Sequence, residues 1–148
     1  MKSLIVCTSV SHGNTRKVAE VIGEVLGASV VAPEEADLTG HDLTDYDLVG
    51  FGSGIFSRRL HPRLRDFVSA LPPQRGRAFV FATCGIHAPF GPMTRLLEGK
   101  GYDVADTFSC RGHDTWAPFR LIGGIRRGRP DGRDLAAARA FAERLKRG

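Results

Sequence analysis

The sequence predicts an α/β domain in which one parallel sheet of five strands is covered by helices on both faces. Apolar segments of strand length alternate along the chain with segments whose apolar residues recur at helical spacing. One strand segment, Ala78–Ala82, is apolar without interruption, as expected for a parallel strand that is buried on both sides. Because 148 residues suffice for one full core, we predict a single three-layer, doubly wound domain over residues 1–148.

The first part of the chain predicts a strand, a helix and a second strand. Residues Leu4–Cys7 form the first apolar run, and Ser29–Val31 form a short second one. The helix between them ends at Gly27. Its apolar face consists of Val18, Val21, Ile22, Val25 and Leu26.

The middle of the chain predicts a connection, a strand and a helix. Pro33–Asp47 lacks Lys and Arg and has weak helical periodicity, so we expect a mostly irregular connection. Leu48–Gly52 begins the third strand. Pro62 suits the first turn of a helix, and Pro72-Pro73 would end it. The apolar face of this helix consists of Leu64, Phe67, Val68 and Leu71.

The last part of the chain completes the alternation. Ala78–Ala82 is the fourth strand, and Pro92–Glu98 is a short helix that ends near Gly99. Tyr102–Cys110 is the fifth strand, and Asp134–Arg147 is the closing helix. Its buried face would carry Leu135, Ala138, Phe141, Ala142 and Leu145.

Charge and cysteine content limit the classes of function. The net charge is +5, and residues 120–148 alone contribute nine basic minus three acidic residues, or +6. This local excess favours a partner surface over general affinity for nucleic acid. The three cysteines lack the spacing of a metal site, which predicts reduced thiols, no metal and a cytoplasmic protein. No apolar run reaches the length of a signal peptide or an integral membrane segment.

The segment "TSVSHGNT", Thr8–Thr15, joins the first strand to the first helix. The first N–H groups of a helix favour an anion. Hydroxyl donors, an amide and a flexible glycine in the same segment predict a phosphate site built from neutral donors. These residues are Ser9, Ser11, Gly13, Asn14 and Thr15. The alternative is an ordinary polar turn in which Asn14 or Thr15 caps the helix.

Three better-known phosphate motifs are excluded. Asn14-Thr15 follows Gly13 where a nucleotide P-loop needs Lys and then Ser or Thr. Ile55 stands where a dinucleotide fingerprint beginning at Gly50 needs its last glycine. No arginine stands six residues after Cys7 or Cys84, which excludes a Cys-x5-Arg phosphatase loop.

Three segments together resemble the flavodoxin-like proteins over essentially the whole chain. "SVSHGNT" is similar to the flavodoxin phosphate loop, which usually runs Ser/Thr-x-Thr-Gly-x-Thr; here it is one residue longer, with His12 before the glycine. "GFGSGIFSRRLHP" and "FATCGIHAPFG" are similar to the two loops that flank the flavin ring. The resemblance implies a flavodoxin-like strand order of 2-1-3-4-5, bound FMN and no catalytic side chain.

The resemblance also implies a set of cofactor-binding residues. The phosphate would contact Ser9, Ser11, His12, Gly13, Asn14 and Thr15. One side of the ring would contact Ser53, Gly54, Ile55, Phe56 and Ser57. The other side would contact Thr83, Cys84, Gly85, Ile86 and His87. Phe56 could stack on the ring or belong to the core. We expect His61 to cap a helix rather than to donate a proton, and Cys84 to serve packing rather than as a nucleophile.

These residues support three hypotheses of function. The first is an FMN-binding protein that transfers electrons between redox partners, with an acidic partner docking near Arg120–Arg133. The second is an FMN-dependent oxidoreductase acting on a quinone or tetrapyrrole, as in protoporphyrinogen oxidases, whose YDxVxxG approach to the third strand is similar to the segment beginning at Tyr46–Gly50. The third is a flavin-free module that binds another phosphate or a protein.

Overall fold

The computed structural model describes residues 2–8, 14–38, 43–56, 59–84, 90–111 and 132–147. The strands are β1 (Ser3–Thr8), β2 (Ser29–Val31), β3 (Leu48–Phe56), β4 (Arg59–Leu60), β5 (Arg77–Cys84) and β6 (Asp103–Arg111). The α-helices are α1 (Asn14–Leu26), α2 (Pro33–Leu38), α3 (Pro62–Ala70), α4 (Gly91–Lys100) and α5 (Gly132–Arg147). A 3-10 turn spans Leu43–Asp45.

Five strands pair in parallel in the order β2-β1-β3-β5-β6. When β4 is set aside, this is the predicted order 2-1-3-4-5, and the prediction is confirmed. The chain leaves β1 toward β2 on one side and later returns to β3 on the other, so the strand order switches between β1 and β3. Ligands in doubly wound sheets bind outside the carboxyl ends of the strands at such a switch.

Helices cover both faces of the sheet, as predicted. One buried cluster joins the sheet to α1 and α5, and the other joins it to α2, α3 and α4. Phe79 and Phe81 project from β5 toward α5, and their rings lie over Gly50 and Gly52 of β3. A Cβ at either glycine would collide with the ring. Each of these large side chains of β5 therefore lies against a glycine of β3.

The connection between β2 and β3 differs from the expected irregular segment. It contains α2 and the 3-10 turn. Glu35 accepts a hydrogen bond from the Ala32 backbone N–H at 3.2 Å, so its carboxylate satisfies a donor at the start of α2. A six-residue helix is too short to produce the periodicity that would predict it.

Two element bounds also differ from expectation. The third strand, β3, continues past Gly52 to Phe56. The next strand along the chain, β4, pairs with β3 in the antiparallel direction. Helix α4 passes Gly99 and ends at Gly101, whose φ of 111° lies in the left-handed region that favours glycine.

Candidate functional site

Three of the predicted loops meet at the carboxyl edge of the sheet. Thr15, in the first turn of α1, and Thr83, near the end of β5, are both buried, and their hydroxyl oxygens are 2.7 Å apart. Gly54 of β3 lies beside them, since a Cβ there would be 3.8 Å from the Thr83 oxygen and 3.9 Å from the Thr15 oxygen. The fold therefore brings together one predicted residue from each segment.

The hydroxyl pair has a donor to spare. Two hydroxyls carry two hydrogens, and the bond between Thr15 and Thr83 uses one of them. The described residues provide no acceptor for the other. A buried donor is costly unless it is paired, so the pair is suited to a ligand oxygen that accepts a hydrogen bond.

Ser53 acts within the protein at the end of β3. Its hydroxyl donates to the Gly54 carbonyl at 2.8 Å and accepts from the His61 backbone N–H at 2.9 Å. The side chain is fully buried. Ser53 therefore ties the end of β3 to the start of α3 and fixes the backbone at Gly54.

His61 is the N-cap of α3, as expected. Its Nδ1 accepts the Arg63 backbone N–H at 3.1 Å. Because Nδ1 is the acceptor, the neutral ring carries its hydrogen on Nε2. His61 thus takes part in both contacts, because its own N–H donates to Ser53 and its Nδ1 accepts from Arg63.

The end of β1 forms a further part of this edge. Thr8 is buried, and its Oγ1 has no hydrogen-bond partner within the described segments. Thr8 and Cys7 line a cavity of about 200 Å³ that reaches His61 and the ion-paired side chains of Arg63 and Glu34. Sequence reasoning assigned Thr8 no role, although a hydroxyl directly after the apolar run Leu4–Cys7 was a usable signal.

Cys7 is unreactive in this environment. Burial raises the pKa of its thiol from 9.0 to about 12, and Arg16 and Glu20 make smaller, opposing contributions. The thiol stays protonated at neutral pH, and the thiolate is the reactive form.

Several predicted site residues lie outside the described ranges. These are Ser9, Ser11, His12, Gly13, Ser57, Gly85, Ile86 and His87, together with residues 120–131 of the predicted docking segment. Backbone positions are described for the first residue of α1, the last two of β3 and the last of β5, which are Asn14, Ile55, Phe56 and Cys84. Arg133 is exposed in the first turn of α5.

The described ranges hold no group of three or more His, Cys, Asp or Glu side chains suited to a metal ion. None of the helices in those ranges has the length and apolar character needed to span a membrane.

Comparison with known proteins gives a consistent result. A model of the flavodoxin domain matches residues 5–105. An uncharacterized protein of Methanocaldococcus jannaschii is 33% identical over 150 residues, which cover 98% of each protein. A hydrogenobyrinate a,c-diamide synthase of Rhodobacter capsulatus is 31% identical over 112 residues, which cover 70% of this chain but 26% of the synthase. A solved flavodoxin from the domain Archaea matches 99% of both chains with a TM-score of 0.69 and 20% identity, a likeness of fold.

Proposed function

Because the chain belongs to the flavodoxin domain family, we propose that it binds FMN and transfers electrons between redox partners. FMN would supply the redox chemistry, and the protein would bind it, orient it and exclude water from one face. No side chain is assigned a covalent or proton-transfer role.

The contact between Thr15 and Thr83 carries this proposal. It joins the end of the predicted phosphate loop to the start of the second predicted ring loop, and Gly54 of the first ring loop lies against both hydroxyls. The spare hydroxyl hydrogen suits a phosphate oxygen, which only accepts hydrogen bonds. These residues therefore fit an FMN-type ligand by donor chemistry.

The fold adds two further supports. The N–H groups at the start of α1 are oriented toward the same edge, where the helix dipole favours negative charge. The two contacts made by Ser53 hold the backbone at Gly54 in place beside the hydroxyl pair. Phosphate binding is assigned to residues 9–15, and the ring is assigned to 53–57 and 83–87.

Reconstitution tests the cofactor. Purified apoprotein is mixed in turn with FMN, FAD and riboflavin, and bound cofactor is released and identified by mass. We expect stoichiometric FMN, because the chain has one phosphate loop and no dinucleotide fingerprint. Tight FAD binding without FMN uptake would contradict the proposal, and failure to bind any flavin would favour the flavin-free module.

A second function is favoured by one observation. The match to a synthase named for hydrogenobyrinate connects this domain with a tetrapyrrole-derived macrocycle. This supports the alternative of an FMN-dependent oxidoreductase acting on a tetrapyrrole or a quinone. Since the matched segment covers only 26% of the synthase, the activity of the whole synthase is not assigned to this chain.

Turnover separates the two functions. The holoprotein is supplied with an electron donor that restores its reduced flavin after each cycle and is offered an oxidised redox protein, a quinone or a tetrapyrrole. Product is then quantified over many cycles, against a reaction without the protein. An electron carrier would reduce the redox protein and give no catalytic turnover of the organic compounds. Sustained turnover of a quinone or tetrapyrrole would instead establish the oxidoreductase.

A further inference from the structure

We propose that Thr83 is a positioning residue for phosphate: its hydroxyl orients the hydroxyl of Thr15 toward a phosphate group. The inference rests on the proposed function and assigns to Thr83 a role at the phosphate end of the ligand, whereas the resemblance assigned it to the ring.

The side-chain placement of Thr83 supports this role. Thr83 is the residue before the end of β5, and its hydroxyl is bonded to Thr15 in the first turn of α1. The two positions are 68 residues apart, and both side chains are more than nine-tenths buried. Within the described segments, neither hydroxyl has another hydrogen-bond partner. Each threonine is therefore the main determinant of how the other's hydroxyl is directed.

The direction of this hydrogen bond depends on the ligand. Either oxygen can be the donor in the pair by itself. A phosphate oxygen accepts and never donates, so a Thr15 hydroxyl that binds phosphate must give its hydrogen to it. The Thr15 oxygen then accepts from Thr83, which completes a chain of two donors ending at the anion. A hydrogen bond received by a donor polarises it and strengthens the bond that it makes.

The opposite direction makes a different prediction. If Thr83 directed its hydrogen at the flavin ring, Thr15 would donate to Thr83, and loss of the Thr83 hydroxyl would weaken binding of FMN and riboflavin equally. Riboflavin has the same ring as FMN without the phosphate. The ratio of the two affinities therefore reports which end of the ligand Thr83 serves.

The experiment measures dissociation constants for FMN and riboflavin by fluorescence titration of the apoprotein. The variants are Thr83→Val, which removes the hydroxyl at nearly constant shape, Thr83→Ser, which keeps it, and Thr15→Val alone and combined with Thr83→Val. Thr107→Val is the matched control, because Thr107 is a half-buried threonine halfway along the edge strand β6, where it pairs with Val80 of β5. Thermal unfolding of each apoprotein checks that the variants fold.

We expect Thr83→Val to weaken FMN binding about tenfold and riboflavin binding less than about twofold, since a hydrogen bond to a charged group is affected only in FMN. Thr83→Ser should restore FMN binding to within about threefold of the parent, because its hydroxyl can make the same bond. In the Thr15→Val background, Thr83→Val should change FMN affinity less than about twofold, because a residue that acts through Thr15 loses its effect without it.

Two results would overturn the inference while leaving the proposed function intact. One is equal weakening of FMN and riboflavin by Thr83→Val, and the other is FMN affinity unchanged from that of Thr107→Val. A parent protein that binds neither flavin would contradict the proposed function and this inference together. If Thr83→Val does not fold, Thr83→Ala is measured against Thr83→Ser with the same criteria.

Discussion

At the scale of single residues, the structure separates groups that face a ligand from groups that support the fold. Ser53 and His61 use polar atoms in contacts within the protein, whereas the hydroxyls of Thr15 and Thr83 have no partner but each other among the described residues. All four belong to residue types that sequence reasoning associates with binding. Their partners decide the role, and partners 68 residues apart cannot be deduced from local sequence.

Cys7 gives a pH-dependent prediction. Its folded pKa of about 12 lies above its ordinary 9.0, so between these values the unfolded chain loses the thiol proton while the folded one keeps it. Stability should therefore fall as pH rises from 9 to 12, with a slope from this thiol of up to about 1.4 kcal/mol per pH unit.

Urea unfolding between pH 8 and pH 11 measures this slope. Cys7→Ala removes the titrating group, so its stability should fall less steeply than that of the parent. Burial also raises the pKa of Tyr102, whose contribution is common to both proteins and cancels in the comparison. Parallel stability curves for the two proteins would contradict the raised thiol pKa.

His61→Ala tests the cap of α3. The substitution removes the acceptor for the Arg63 N–H, and loss of such a cap costs about 0.5–2 kcal/mol of unfolding free energy. His61→Asn is the matched variant, because its side-chain oxygen can accept the same N–H. Chemical denaturation should rank the parent and His61→Asn above His61→Ala, and equal stabilities would show that the cap contributes nothing measurable.

At the scale of elements, glycines decide where the chain turns and how closely strands and loops approach. Gly101 ends α4 at a positive φ, and a Cβ there would collide with the carbonyl oxygen of Gln74. The same loop is fixed by Lys100, whose backbone carbonyl accepts the Gln74 N–H and whose ammonium group donates to carbonyls at the end of α3. This corner lies at the amino edge of the sheet, away from the candidate site.

Gly101→Ala and Gly99→Ala should have opposite effects. Alanine at 101 meets both an unfavourable φ and the Gln74 carbonyl, which together cost roughly 1–3 kcal/mol or more. Alanine at 99 meets no atom within 4 Å inside α4, where it improves helix propensity by up to about 1 kcal/mol. Thermal unfolding should place Gly99→Ala at or above the parent and Gly101→Ala well below it. A stabilised Gly101→Ala variant would contradict the described end of α4.

At the scale of the whole molecule, the sheet order creates the candidate site and the charge distribution suggests its partner. The ends of β1, β3 and β5 are adjacent because parallel strands point their carboxyl ends in one direction. The basic excess is concentrated in residues 120–148, and Arg133 of this segment is exposed. Complementary charge mainly raises association rates, so the proposed docking role is a kinetic one.

Replacing Arg126, Arg127 and Arg129 with serine tests docking. We expect an acidic iron–sulfur protein to reduce the FMN-loaded variant more slowly than the parent. The rate should also depend less on salt, because salt screens attraction between exposed charges beyond about 8–10 Å at physiological ionic strength and the variant has fewer such charges. FMN affinity should stay unchanged. A matched control replaces Arg75, Lys146 and Arg147, three exposed cations outside the predicted docking segment Arg120–Arg133. Stopped-flow rates that respond equally to both triple replacements would eliminate a specific docking role.

Much of the architecture follows from local pattern. Leu4–Cys7 and Ala78–Ala82 are apolar because strands of a covered parallel sheet are buried on both faces, and periodicity alone indicates this. Helix α2 and strand β4 were not predicted, because segments of six and two residues are too short to show a periodic pattern of apolar residues. Helix α4 was predicted to end near Gly99 but continues past it, because tertiary packing tolerates one exposed glycine within a helix.

The sequence by itself determined the fold class and the loops that lie at the carboxyl edge of the sheet. It also indicated the strand order, through the resemblance to flavodoxin-like proteins. These features depend on periodicity and on motifs that extend over a few residues. Only the tertiary structure decided which side chains in those loops meet. Thr83 lies near the end of β5 in a segment predicted to border a ring, yet its hydroxyl contacts Thr15 from α1. Ser53 belongs to a segment predicted to border the ring, yet its hydroxyl bonds to the Gly54 carbonyl and the His61 N–H. Hydrogen-bond partners depend on distance and direction in space, which strand register and helix packing set across the whole chain.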